Sequence, residues 1–214
     1  MKVKICGLTC LEDAMLAVEA GASALGFIFY PASRRYITPA EVGKITQMIP
    51  STVTTVGVFV DALREEILWT VRDSGVQSAQ VHGRQRAEDL QSYPFPVYKG
   101  FRVSPSFDVS VLSRYSLPLF LLDTFVEGVH GGTGRTFDWT VAARAAQYGR
   151  IMLAGCITTG NVLVAIEQAR PYAVDVNSGV EAEVGRKDRA KIKALFAAIR
   201  AAGAEEGKEN RCLF

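Results

Sequence analysis

Two side chains in this sequence stand where proton chemistry is done. Cys6 closes a short apolar run, Val3–Cys6, and Asp123 closes another, Leu119-Phe120-Leu121-Leu122. A cysteine whose pKa is lowered serves as a proton acceptor or a nucleophile, although a buried cysteine is more often a small hydrophobe. A carboxylate ending an apolar strand is hard to explain by packing alone; it offers a general acid or a partner for Arg135. Arg35, in Ser33-Arg34-Arg35-Tyr36, has the planar fork that grips a carboxylate through two hydrogen bonds, while most arginines are simply solvated. His82, in Gln80-Val81-His82-Gly83, reads as a strand cap or as a residue supporting the site. Lys99, within the run Val97–Phe101, is the amine that a Schiff-base lyase would use.

Small residues gather after two further apolar runs, at Ala154-Gly155-Cys156-Ile157 and at Asn177-Ser178-Gly179-Val180. Glycine-rich turns whose backbone N–H groups converge make an anion site without a basic side chain, so Gly155, Ser178 and Gly179 point to phosphate; singly, each is an ordinary turn residue. A third cluster, Gly128 and His130-Gly131-Gly132-Thr133-Gly134-Arg135, is not a P-loop, because no Lys-Ser/Thr follows its glycines. It reads as a loop over the site or as a plain surface loop. The cysteines, Cys6, Cys10, Cys156 and Cys212, form no CxxC pair, and only His82 and His130 could join them. The sequence therefore carries no zinc-site spacing, and the cysteines read as free thiols.

What must position these residues is an alternation of short and long segments. The short runs are Val3–Cys6, Ala24–Phe29, Thr54–Phe59, Ser78–Val81, Val97–Phe101, Leu119–Leu122, Ile151–Leu153 and Ala173–Val176. They are nearly continuously apolar, as parallel strands covered on both faces must be. Between them lie helical stretches: Leu11–Ala20, Pro39–Ile49, Leu63–Ser74, Ala87–Tyr93, Val109–Arg114, Trp139–Gln147, Asn161–Gln168 and Asp188–Ala202. Thr9 with Glu12 and Thr38 with Glu41 read as capping boxes, and Gly21 as a helix stop. Eight strand–helix units predict a single-domain (β/α)8 TIM barrel of the α/β class, spanning residues 1–202, with a polar C-terminal tail at 203–214. An open doubly wound sheet would carry GxGxxG after its first strand, whereas Cys6-Gly7-Leu8-Thr9 stands there. In such a barrel the site lies at the C-terminal ends of the strands, where Cys6, Arg35, His82, Asp123, Gly155, Cys156, Ser178 and Gly179 fall.

The 214 residues carry a net charge of +2 with their basic residues scattered, which gives no footprint for nucleic acid. No apolar run reaches the roughly 18 residues of a membrane span, and the first residues lack the apolar stretch of a signal peptide. These readings predict a cytoplasmic protein that binds a small molecule, as a monomer or a homodimer.

The ordered motifs resemble one family. Lys4-Ile5-Cys6-Gly7-Leu8-Thr9, Gly26-Phe27-Ile28-Phe29-Tyr30-Pro31, Gly57-Val58-Phe59-Val60 and Gln80-Val81-His82-Gly83 are similar to segments of the phosphoribosylanthranilate isomerases. So are Leu121-Leu122-Asp123-Thr124, the run from Gly131 to Trp139, Leu153-Ala154-Gly155, Asn161-Val162, and Asp175 to Glu181 with Gly185 and Lys187-Asp188. The resemblance runs from residue 2 to about residue 200. It implies a barrel without cofactor or metal that rearranges N-(5′-phosphoribosyl)anthranilate in tryptophan biosynthesis. By the same resemblance, Asp123 is the general acid, Cys6 the general base, Arg35 the ligand of the anthranilate carboxylate, and the amides near Gly155, Cys156, Ser178 and Gly179 hold the phosphate. Two positions depart from the family pattern: Cys156 replaces a usual glycine and Asn177 a usual serine. A non-catalytic phosphate-binding barrel, the Lys99 lyase and an isomerase with a second substrate are the alternatives.

Overall fold

The computed structural model describes residues 1–124 and 138–209, with side chains as far as residue 202. The glycine cluster at 128–135, with Arg135, lies outside the described residues. Eight parallel strands close into one barrel in sequence order. They are β1 (Lys2–Ile5), β2 (Ala24–Ile28), β3 (Thr54–Val60), β4 (Ser78–His82), β5 (Val97–Val103), β6 (Leu119–Thr124), β7 (Arg150–Leu153) and β8 (Ala173–Val176). A two-stranded antiparallel ribbon, β9 (Glu181–Glu183) with β10 (Arg186–Lys187), follows β8.

The helices are α1 (Leu11–Ala20), α2 (Pro39–Thr46), α3 (Arg64–Ser74), α4 (Thr140–Ala145), α5 (Val162–Ala169) and α6 (Arg189–Glu209). The last reaches into the stretch read as a tail, and residues 210–214 lie outside the described residues. The box at Thr38 forms: its hydroxyl accepts from the Glu41 N–H while the Glu41 carboxylate accepts from the Thr38 N–H. The box expected at Thr9 does not. The residue before α1 is Cys10, without a side-chain cap, and the Thr9 hydroxyl donates instead to the Gly185 carbonyl at 2.6 Å. Gly21 ends α1 in the left-handed conformation as expected (φ 106°). Two expected helices are 3₁₀ turns, Glu88–Leu90 and Val109–Arg114. Pro94 and Pro96 crowd the first against β5, and Val and Ser residues with an Asp108 side-chain cap favour the tighter turn in the second.

Side chains alternate across the barrel wall with period two. Outward residues such as Val3, Ile5, Phe120, Leu122, Val174 and Val176 pack into the layer beneath the helices. Inward residues at the N-terminal end, among them Val56, Tyr98, Leu121 and Met152, form a separate interior cluster. Pairing of β1 with β8 sets Lys4 opposite Asp175, both inside the barrel, and pairing of β5 with β6 sets Arg102 opposite Asp123. Among the described residues, no helix is long and apolar enough to cross a membrane.

Candidate active site

A cavity of about 580 Å³ opens at the C-terminal ends of the strands. Cys6, Arg35, His82, Asp123, Gly155, Cys156, Ser178 and Gly179 all line it. Eight residues from six different strand ends and loops thus meet in one place. Lys99 does not line it. Its neighbours on β5, Tyr98 and Gly100, take the inward positions, and its ammonium donates to the Gly83 carbonyl at 2.8 Å. An amine held there cannot reach a substrate in this cavity, so the lyase reading loses its nucleophile.

Cys6 is 4 % exposed. Its N–H donates to the Val176 carbonyl at 2.9 Å, fixing the residue at the end of β1. Burial pushes its thiol up, and the Lys4 ammonium acts against that push. Gly26 makes room for both: a Cβ on Gly26 would stand 2.7 Å from Cys6 Sγ and 3.0 Å from Lys4 Nζ. The thiol and the ammonium therefore flank one gap inside the barrel.

Lys4 is almost wholly buried and belongs to a polar belt below the cavity floor. Its Nζ donates to Gln80 Oε1 and Asp175 Oδ2, both at 2.9 Å. Burial opposes its charge, but the Asp175 carboxylate, together with the Cys6 and Tyr98 side chains, outweighs burial and holds it protonated. The Tyr98 hydroxyl donates to the same Gln80 oxygen at 3.0 Å. With its oxygen doubly engaged, Gln80 turns its amide nitrogen to His82 Nε2 at 2.7 Å. That nitrogen must accept, so the proton of the neutral ring sits on Nδ1. Burial and then the Lys4 charge push His82 down to about 3. A neutral imidazole thus faces the cavity, and Gly100 leaves space for it, since a Cβ there would meet His82 Nδ1 at 2.6 Å.

Asp123 lies on β6, three strands around the barrel from Cys6. Burial, then the charge of Asp175, push its carboxyl up to about 6, against the opposing pull of the Thr124 N–H, Arg102 and Lys4. A carboxyl poised there holds a proton far more readily near neutrality than an exposed one does.

The two small-residue loops are locked against each other. Gly155 takes φ 87°, and a Cβ on it would strike Thr124; a Cβ on Gly179 would fall onto the Ile157 carbonyl oxygen. Cys156 holds φ 56°, a left-handed conformation that glycine adopts at no steric cost. Asn161 laces this loop, accepting from the Thr158 N–H (2.8 Å) and donating to the Cys156 carbonyl (2.9 Å). No backbone acceptor among the described residues takes the N–H groups of Gly155, Cys156, Ser178 or Gly179. N–H groups in turns of this kind are donors that an anion site can use.

Arg35 reaches the rim and pairs side-on with Glu181, Nε to Oε1 at 2.8 Å and Nη2 to Oε2 at 2.7 Å. The buried Lys187 ammonium also meets Glu181 Oε1, at 3.0 Å, and Asn177 Oδ1, at 3.0 Å. Lys4, Gln80, Asp175, Glu181 and Lys187 had no role assigned from sequence. For the first three the signal was available: polar residues at period two inside apolar strands. Among the described residues, no group of three or more His, Cys, Asp or Glu is arranged to hold a metal ion.

A thiol, a raised carboxyl and two small-residue loops thus share one barrel mouth. The family model described as N-(5′-phosphoribosyl)anthranilate (PRA) isomerase covers residues 3–198. The chain belongs to the PRA isomerase family. A PRA isomerase of Pelobacter propionicus is 44 % identical over 193 residues, covering 90 % of this chain and 92 % of its own. The solved PRA isomerase of Thermotoga maritima superposes with a TM-score of 0.87 at 39 % identity, covering 94 % of this chain and 99 % of that one. A PRA isomerase structure in complex with reduced 1-(o-carboxyphenylamino)-1-deoxyribulose 5-phosphate matches with a TM-score of 0.84 at 36 % identity, covering 94 % and 99 %. The family resemblance legible in the motifs therefore extends over the whole barrel.

Proposed function

We propose that this chain converts N-(5′-phosphoribosyl)anthranilate to 1-(2-carboxyphenylamino)-1-deoxyribulose 5-phosphate in tryptophan biosynthesis, using Asp123 as acid and Cys6 as base. The observation that carries the reading is a thiol and a carboxyl raised to about 6 lining the same cavity. Protonated Asp123 gives its proton to the furanose ring oxygen. The C1′–O bond breaks and the anthranilate nitrogen forms a Schiff base. The Cys6 thiolate then removes the C2′ proton, and the electron pair moves toward the iminium nitrogen. The enolamine so formed tautomerises to the ketose, leaving no net change in atoms. One group acts protonated and the other deprotonated, so their environments must differ.

The substrate phosphate rests on the amides around Gly155, Cys156, Ser178 and Gly179, and its carboxylate meets Arg35. Neutral His82 supports the sugar side of the cavity as a hydrogen-bonding group. Residues 1–202 form the catalytic barrel, working in the cytoplasm as a monomer or homodimer, without nucleic-acid or membrane partners. The test is fluorimetric: anthranilate fluorescence of the substrate should change as the purified protein turns it over, and inorganic phosphate should compete. No turnover of this substrate under any buffer condition would refute the proposal.

A further inference from the structure

Arg35 carries five N–H donors in one plane. Glu181 occupies the lateral edge, Nε and one proton of Nη2. The terminal edge, Nη1 with the second proton of Nη2, meets no acceptor among the described residues. Arg35 lines the cavity, whereas Glu181 and Lys187 do not. Glu181 thus stands behind the guanidinium as seen from the site. Its side chain is 5 % exposed and that of Lys187 is 0 % exposed. Gly7, at φ 70°, permits the arginine to lie this way, since a Cβ there would stand 2.7 Å from Arg35 Cδ.

The cluster holds two cations and one carboxylate. Arg35, Glu181 and Lys187 together are therefore left with one positive charge, buried on one side and facing the cavity on the other. A second carboxylate arriving from the cavity side completes the neutralisation. A guanidinium fixed along one edge loses little freedom when its other edge engages a ligand.

We propose that Glu181 is a positioning residue. It locks Arg35 side-on, so that the terminal edge faces the cavity and selects substrates bearing an aryl carboxylate, and Lys187 anchors Glu181 in turn. This rests on the isomerase reading and deepens it. The residue acts through Arg35 and touches no reacting atom.

Steady-state kinetics on two substrates tests the proposal: N-(5′-phosphoribosyl)anthranilate, and the analogue made with aniline, which lacks the carboxylate. Glu181→Gln leaves the Lys187 ammonium without its carboxylate. The double variant Glu181→Gln with Lys187→Met removes that burden and keeps the cluster at one positive charge. In both, KM for the anthranilate substrate should rise about tenfold or more, the scale of a lost charge-assisted pair. The turnover number should stay within about threefold, since no group that reacts is altered. KM for the aniline analogue should match that of wild type. A double variant with wild-type KM on the anthranilate substrate overturns the positioning role. So does an equal rise on both substrates, which is the mark of general loosening. Wild type inert toward both substrates overturns the isomerase reading and the positioning role with it.

Discussion

Replacing Asp123 with asparagine should stabilise the protein at pH 8 while abolishing turnover. Burial first, and the Asp175 charge second, push this carboxyl from 3.8 up to about 6. A carboxyl raised on folding favours the native state in its protonated form. Its contribution is therefore intact below pH 3.8 and turns unfavourable as pH rises through about 6. Each pH unit between the unfolded and folded values corresponds to about 1.4 kcal/mol. The full effect, complete by pH 8, approaches about 3 kcal/mol. Asparagine keeps the shape and loses the charge, so its own hydrogen-bonding changes add the same offset at every pH. For a chain of this size each kcal/mol moves Tm by roughly 2–4 °C. The gap between variant and wild type should therefore widen by roughly 5–10 °C from pH 4 to pH 8. Thermal unfolding followed by circular dichroism across that range measures it. A gap independent of pH would refute the reasoning. So would a wild type that gains on the variant as pH rises, which would mean that Arg102 and Lys4 outweigh burial.

Cys156→Gly should relieve the left-handed backbone at φ 56°, worth about 1–2 kcal/mol, less the roughly 0.5–1 kcal/mol that glycine adds to unfolded-state freedom. KM should fall or hold, and a clear rise would mean that the Cβ does not crowd the phosphate loop. Gly179→Ala aims a methyl at the Ile157 carbonyl, where backbone meets backbone, so a stability loss of about 1–3 kcal/mol in urea is expected, with weaker inhibition by inorganic phosphate. Wild-type stability and inhibition together would show that the two loops are not locked. The pH profile of kcat/KM should be bell-shaped: it rises to about pH 6 as the Cys6 thiolate forms, stays level while further thiolate is offset by loss of the Asp123 proton, and falls above the ordinary thiol range, where only that loss remains. A profile that goes on rising past about pH 6 would remove Asp123 from the acid role.

The strands and the barrel were legible because burial on both faces leaves a plain mark, a short continuous apolar run. Cys6 and Asp123 were legible for the converse reason, a polar side chain closing such a run. Lys4, Gln80 and Asp175 carry a related mark inside their strands, yet their meaning depends on register. Nothing local says that Lys4 meets Asp175, 171 positions away, or that Arg35 meets Glu181, 146 positions away. The Thr9 capping box failed because α1 starts at Leu11 with Cys10 at its N-cap, one residue later than the box requires, and the Thr9 hydroxyl reaches the Gly185 carbonyl from the far end of the chain. The short elements between β4 and β6 read only as helical stretches, and they form 3₁₀ turns, because apolar spacing over six or seven residues fits a 3₁₀ turn as well as an α-helix. Cys156 stands where the family pattern has glycine, and its positive φ is the physical content of that departure.

In the proposed mechanism Asp123 gives a proton to the substrate and Cys6 takes one from it within one cavity. Turnover of N-(5′-phosphoribosyl)anthranilate by Cys6→Ser and Asp123→Asn, each confirmed folded, tests it most directly. General acid–base catalysis is worth about 10²–10⁴-fold, and each variant should lose at least about a hundredfold in kcat with substrate binding retained. A variant that keeps its rate within a few-fold of wild type would contradict the assignment of that residue.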